Sequence, residues 1–398
     1  MNRNIGALHR IASKKTRLII GLMSGTSLDG LDIALCRISG SGLQTKLKVL
    51  EFQTMPYSND VKDRILQVFA KEQIEFQALC ELNAFIGSLH GKMVIQSLRT
   101  WKRKASQIDI VASHGQTVFH APRFLYPKAE QNSTLQIGDG DHLAVQTGII
   151  TLSDFRQKHI AKGGEGAPLA VYGDYLLFSR KGEDRIMLNA GGIGNFTYLP
   201  ASGKASAVFV TDTGPANTLL DQVVRKHLPD VYYDKDGRLA KQGNYNIELL
   251  KALKSNPFFS KSFPKTIGPE LFNLQYVERA QKLSGTNDIT LENLLATLTR
   301  FSAETMAEAI QKVIRKKKTF KLFMSGGGAH NPLLMEWLRD LLPNVSFNKM
   351  SELGISGDAK EAVLFAVLAN EALVGGKVDF GSRSKVPTVS MGKVSFPN

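Results

Sequence analysis

Residues 18–38, LIIGLMSGTSLDGLDIALCRI, constrain the fold more than any other stretch of this chain. The run from Leu18 to Met23 is apolar and too short for a helix, and the run from Leu31 to Ile38 is a second, partly alternating one. Together they predict a strand, a turn and a strand. The turn is Ser24-Gly25-Thr26-Ser27-Leu28-Asp29-Gly30. Two glycines and three hydroxyls at the end of a buried strand let backbone N–H groups and side-chain hydroxyls converge on an anion such as a phosphate. The same residues also suit an ordinary hairpin turn. The loop lacks the Gly-Lys-Ser/Thr ending of a P-loop, and no Gly-x-Gly-x-x-Gly opens a helix here.

The pattern returns in residues 184–199, where Asp184 to Ala190 runs into Gly191-Gly192-Ile193-Gly194-Asn195 and out through Phe196 to Leu199. An internal echo of this kind is expected of two duplicated domains that each offer a loop to one ligand. The apolar run 320–325 ends in Gly326-Gly327-Gly328 and is followed by a helix with Pro332 at its start. Consecutive glycines let the backbone lie flat against a planar ligand. Residues 211–217, TDTGPAN, lead into a helical pattern, and capping by Asp212 or Thr213 would explain their residue types.

A chain of 398 residues with 43% hydrophobic content exceeds what one core usually serves, so two domains are expected. We divide it into a loose basic extension at 1–17, an N-terminal domain at 18–150, a C-terminal domain at 151–385, and a tail strand at 386–398 that returns to the first domain. The net charge of +14 suits a phosphorylated cofactor and an anionic substrate. The basic residues are scattered and lack aromatic interleaving, so nucleic acid is not the expected partner. No apolar run is long enough to span a bilayer, and Cys36 and Cys80 sit in apolar sequence without metal-type spacing. Both are expected to be reduced, buried thiols in a cytoplasmic protein.

Two further constellations carry chemistry. The strand predicted at 108–113 opens into His114-Gly115-Gln116-Thr117-Val118-Phe119-His120, and the carboxyl edge of an open α/β sheet is where ligands bind. Residues 153–169 read SDFRQKHIAKGGEGAPL, a glycine-rich loop entering a helix.

Residues 21–32, GLMSGTSLDGLD, closely resemble the signature of the anhydro-N-acetylmuramic acid kinases, sugar kinases of the actin, heat-shock chaperone and hexokinase superfamily. The other motifs follow in family order from Leu18 onward. The resemblance implies an α/β fold of two duplicated ribonuclease-H-like domains with a nucleotide cleft between them. By residue match, Gly25, Thr26, Ser27, Leu28, Asp29, Gly30, Leu31 and Asp32 inherit the first phosphate loop for ATP. Gly191, Gly192 and Asn195 inherit the second, and Gly326, Gly327 and Gly328 inherit the adenosine turn. Asp29 and Asp32 are the expected carboxylates near Mg²⁺, reached through water.

The resemblance further places His114, Thr117, His120 and Glu361 at the sugar. The family's catalytic Asp is taken to correspond to His159, and Asp154 is the carboxylate expected to orient that ring. A neutral histidine is a competent base near its usual pKa of about 6.5. Pro269 stands where the family carries Arg, so an anion contact is missing there. The reaction implied is opening of the 1,6-anhydro bridge of an amino sugar by water, coupled to phosphorylation of the freed 6-oxygen by ATP, in cell-wall sugar recycling. A kinase for another amino sugar or hexose, or a nucleotide-binding relative without catalysis, stays open, as does a homodimer.

Overall fold

The computed structural model describes residues 2–123, 125–126, 128–267, 271–314, 320–381 and 386–398. Pro269 and the basic cluster 315–318 lie outside the described residues. The chain divides into two compact units, residues 1–178 with 354–398, and residues 179–353. The boundary expected after residue 150 falls after Phe178, and the chain returns to the first unit from Gly354 rather than from 386. The long helix near the C-terminus is the reason, because its apolar positions are buried against the first unit's strands.

Unit 1 is built on β1 (Thr16–Ser24), β2 (Gly30–Ser39), β3 (Lys46–Pro56), β4 (Ile110–Ala121), β5 (Ser133–Ile137), β6 (Thr151–Ser153) and β12 (Lys393–Ser395). Strands β1, β2 and β3 form an antiparallel meander, β4 runs parallel to β1, and β6 runs parallel to β4. The order is β12-β6-β4-β1-β2-β3, with β5 paired to β4. Helices α2 (Asn59–Leu66), α3 (Phe76–Thr100), α4 (Gly140–Thr147), α5 (Gln157–Ala161), α6 (Ala170–Phe178) and α12 (Lys360–Val374) complete it, with α1 (Arg3–Ser13) at the start. Leu82, Ile86 and Val94 of α3 bury against Ile20, Leu22, Ile33 and Val111 of the sheet. Each such side chain contributes roughly 1.5–3 kcal/mol on burial.

The N-terminal extension is not loose. Asn2 accepts from the N–H groups of Asn4 and Ile5 and so caps α1. Arg17 is buried and donates from Nε to Asn370 at 2.8 Å, while Lys14 pairs with Asp109. Of the two thiols, Cys36 is buried, but Cys80 is exposed, because its position on α3 faces away from the sheet.

Unit 2 carries β7 (Arg185–Ala190), β8 (Ile193–Leu199), β9 (Phe209–Pro215), β10 (Phe320–Ser325) and β11 (Val345–Lys349) in the order β11-β10-β7-β8-β9. Again three strands make an antiparallel meander and two run parallel to its first strand. Both units therefore have the same ribonuclease-H-like topology, and the internal echo in the sequence is a structural duplication. Helices α7 (Thr218–His227), α8 (Ile247–Lys254), α9 (Leu274–Ser284), α10 (Leu291–Gln311) and α11 (Pro332–Leu341) belong to this unit. Met306 and Ile310 of α10 and Leu334 and Leu338 of α11 pack on Ile186, Leu188 and Phe196. Among the described residues, no helix is long and apolar enough to cross a membrane.

Candidate functional site

In unit 1 the β1–β2 turn leaves Thr26, Ser27 and Asp29 exposed while Ser24 and Gly30 stay buried. Leu28 takes a left-handed φ of 58° and donates its N–H to Gly25 O at 3.4 Å, closing the turn. The loop is fixed from below. Gln116 donates from Nε2 to the carbonyl of Gly25 at 3.1 Å, and Tyr57 N–H donates to Asp29 O at 3.1 Å. Asp32 accepts from the Thr54 hydroxyl at 2.5 Å. Burial raises the pKa of Asp32, and the nearby carboxylates Asp358 and Asp29 push it further up. Negative charge is thus held together at the foot of the loop, which a bound cation would relieve.

The stretch 114–120 does not follow a strand; it continues one, because β4 runs to Ala121 and pairs with β5. His114 is buried, and its ring is fully engaged. Nδ1 donates to Gly115 O at 2.9 Å, Nε2 accepts from Arg156 Nε at 2.9 Å, and the ring packs on Phe365 with centroids 4.7 Å apart. Burial and then Arg156 hold its pKa well below the usual value, so it is neutral. His114 thus holds the Arg156 guanidinium in place. Thr117 accepts from Gln136 Nε2 at 3.2 Å, and His120 is exposed at the far end of the strand.

Arg156 is a functional candidate that sequence reasoning passed over, although it stands in the quoted Asp-Phe-Arg motif. Its guanidinium is held by His114 on one side and donates from Nη1 to Gly166 O at 2.6 Å on the other. Desolvation lowers its pKa to about 10, and the nearby Glu361 carboxylate works against that shift. Glu361 stands at the first turn of α12, with its own pKa raised by the surrounding protein.

His159 does not stand as a base in this geometry. It is 1% exposed, its Nδ1 accepts the backbone N–H of Gly166 at 3.0 Å, and its Nε2 has no partner among the described residues. A ring whose Nδ1 is an acceptor carries its proton on Nε2, so the lone pair needed to take a proton from water is already in use. The glycine-rich loop closes over the ring: a Cβ on Gly164 would lie 2.2 Å from His159 Nδ1. Burial, with Arg156 adding to it, lowers the His159 pKa to about 4. Lys158 and Lys162, its neighbours in sequence, do not contribute to that shift. Asp154 does not orient the ring either; its carboxylate pairs with Lys393 of β12. That pair borders a pocket of about 530 Å³ lined also by Asn83, His114, Gln136 and Asp139.

In unit 2 the β7–β8 turn is tighter. Gly191 O accepts from Asn217 N–H at 3.0 Å, and Gly192 O accepts from Ala216 and Thr218 N–H at 2.9 and 3.1 Å, tying the turn to the start of α7. Asn195 sits further along β8, opposite Asp212 of β9. Asp212 and Thr213 cap no helix. They lie within β9, where Asp212 Oδ2 accepts Ile267 N–H at 2.8 Å and the Thr213 hydroxyl donates to Gly194 O at 3.0 Å.

The triple glycine divides by role. Gly326 has a φ of 82°, and a Cβ there would lie 2.7 Å from the Ala190 carbonyl; on Gly328 it would lie 2.6 Å from Ala190 Cβ. These two let β10 turn against the end of β7. Gly327 is exposed and borders a pocket of about 410 Å³ with Asn217, Asp221, Tyr233 and His330. Burial raises the Asp221 carboxyl in this pocket to about 6.

Among the described residues no three metal-ligating side chains converge. A magnesium ion that keeps much of its water needs only one or two carboxylates besides phosphate oxygens, so Asp29 and Asp32 fit it.

Comparison with known proteins agrees along the whole chain. Residues 17–378 match the family model described as anhydro-N-acetylmuramic acid kinase. The anhydro-N-acetylmuramic acid kinase of Pseudoalteromonas atlantica is 54% identical over 100% of both chains, and that of Pseudoalteromonas translucida is 49% identical over the same span. The enzyme of the same name from Caldanaerobacter subterraneus is 38% identical over 98% of this chain and 99% of its own.

Proposed function

Because the chain belongs to the anhydro-N-acetylmuramic acid kinase family, we propose that it opens 1,6-anhydro-N-acetylmuramic acid with water and transfers the γ-phosphate of ATP to the 6-oxygen, giving N-acetylmuramic acid 6-phosphate and ADP. The match of the whole chain to a relative of that name carries this reading. Phosphoryl transfer depends on positioning and on neutralising charge. In this reading Gly25 to Asp32 hold the phosphates, Gly191 and Gly192 form the second loop, and Gly326 to Gly328 with the adjoining pocket take the adenosine. Asn195 supports the second turn through its strand. Magnesium, when bound, supplies the positive charge beside the transferring phosphoryl group, with Asp29 and Asp32 as its carboxylates.

For the sugar, Arg156 offers a rigid guanidinium suited to the carboxylate of a sugar acid, and Glu361 offers a carboxylate beside it. His114 fixes Arg156, while Thr117, His120 and the Asp154–Lys393 pair border the substrate. The base that activates water is a carboxylate and not His159. Glu361 and Asp212 are the two candidates, the first with a raised pKa, the second oriented by the Ile267 N–H. The protein would work as a soluble cytoplasmic enzyme.

The test is ADP release measured with 1,6-anhydro-N-acetylmuramic acid, N-acetylmuramic acid and a hexose panel, with the product analysed for oxygen taken from labelled water. ADP release with the anhydro sugar and label at the anomeric position are expected. Release with a hexose and none with the anhydro sugar would overturn the proposal. Glu361→Gln and Asp212→Asn then identify the base, whose loss costs roughly two to four orders of magnitude in rate.

A further inference from the structure

Beneath the β1–β2 turn runs a chain of buried polar side chains that the reaction itself does not use. His90 of α3 is 0% exposed, Tyr57 is 4% exposed and Ser24 is 1% exposed. Tyr57 OH lies 2.6 Å from His90 Nε2 and 2.9 Å from Ser24 Oγ, Ser24 Oγ lies 2.5 Å from Gln116 Oε1, and Gln116 Nε2 reaches the carbonyl of Gly25 at 3.1 Å. One proton arrangement uses each hydroxyl once as donor and once as acceptor. His90 Nε2–H donates to Tyr57, Tyr57 O–H donates to Ser24, Ser24 O–H donates to Gln116 Oε1, and the Gln116 amide donates to Gly25 O. His90 Nδ1, which then carries the lone pair, has no partner among the described residues. Burial lowers the pKa of His90 to about 3, so the ring is neutral, as this arrangement requires.

A helix histidine is thus connected through three side chains to the first glycine of the turn, from elements 33 to 92 positions apart in sequence. Buried polar chains are costly, and in this one every link from His90 Nε2 to Gly25 is made while His90 Nδ1, at the far end from the loop, is left unpaired among the described residues. Burying four polar side chains where apolar ones would pack is an expense that fixing the loop explains.

We infer that Tyr57 and His90 are positioning residues for the first phosphate loop, setting the Gly25 carbonyl and hence the backbone that meets the nucleotide. This rests on the reading of residues 25–32 as the ATP loop. The effect should fall on the nucleotide and spare the sugar.

The experiment measures KM for ATP and for the anhydro sugar in Tyr57→Phe, His90→Leu, His90→Gln and Asp29→Asn, on the full chain. Tyr57→Phe and His90→Leu should raise KM for ATP about tenfold, the effect of one lost buried hydrogen bond, and leave KM for the sugar unchanged. In His90→Gln the amide nitrogen takes the place of Nε2, and KM for ATP should stay within about twofold of the unmodified protein. If Tyr57→Phe is too unstable to assay, the two His90 variants decide alone. Unchanged KM for ATP in His90→Leu, or equal impairment in His90→Leu and His90→Gln, overturns the inference, provided Asp29→Asn impairs ATP use. If Asp29→Asn is also without effect, the loop is not the ATP site and the parent reading fails instead.

Discussion

The backbone N–H of Gly166 donates to Nδ1 of His159 across 3.0 Å, closing the glycine-rich loop on a buried ring. This one bond fixes the tautomer and removes the lone pair from chemistry. Burial of the ring, with Arg156 beside it, sets a pH dependence. The folded pKa of about 4 lies below the usual histidine value of about 6.5, so between these values the unfolded chain binds more protons and stability rises with pH. The stabilisation is complete above about pH 6.5 and is lost as pH falls toward 4. A difference of that size amounts to about 3 kcal/mol.

His159→Asn places a non-titrating acceptor where Nδ1 stands. We expect the melting temperature of this variant to fall less steeply between pH 6.5 and 4, although His90 and His114 retain their own contributions. Turnover should stay within about tenfold of the unmodified protein. A loss of two to four orders of magnitude with ATP binding intact would restore His159 as the base.

Gly164→Ala should destabilise the fold by about 1–3 kcal/mol, because its Cβ meets the His159 ring at 2.2 Å and Pro387 at 2.6 Å. Thermal or denaturant unfolding checks this. The double variant Gly164→Ala with His159→Ala should recover part of the loss by removing the clash.

In the triple glycine, Gly326→Ala should destabilise through both its left-handed φ of 82° and the close Ala190 carbonyl. Gly327→Ala should leave the melting temperature within a degree or two, since its Cβ would meet only Asn217 Nδ2, at 3.4 Å. The branched Gly327→Val should weaken nucleotide binding while the fold persists. Equal thermal stabilisation of this variant and the unmodified protein by ATP would contradict the adenosine assignment.

Arg156→Lys keeps the charge but cannot bond His114 and Gly166 together in one plane. KM for the sugar should rise at least about tenfold, with KM for ATP unchanged. A carboxyl-reduced substrate analogue should lose the difference between the two proteins if the guanidinium meets the sugar's carboxylate.

Asp29→Asn should raise the Mg²⁺ concentration needed for half-maximal ADP release, because one carboxylate at the loop is lost. Turnover and Mg²⁺ dependence that match the unmodified protein would remove Asp29 from the metal.

What the sequence determined by itself was the order of strands and glycine turns. Residues 18–38 and 184–199 carry apolar runs whose length and flanking glycines leave the backbone few alternatives, and each became two paired strands of a meander. The triple glycine after residue 325 was legible for the same reason, as a property of the local backbone. The environment of each polar side chain was decided only by the tertiary structure. His159 and Asp154 stand five positions apart in a motif that reads as a base with its carboxylate, yet the carboxylate pairs with Lys393, 239 positions away, and the ring is sealed by its own loop. Tyr57 and His90 carry no local signal at all, because their meaning comes from Ser24 and Gln116 on other strands. Backbone conformation is set largely by neighbours in sequence, whereas burial and hydrogen-bond partners sum over whatever the fold brings near.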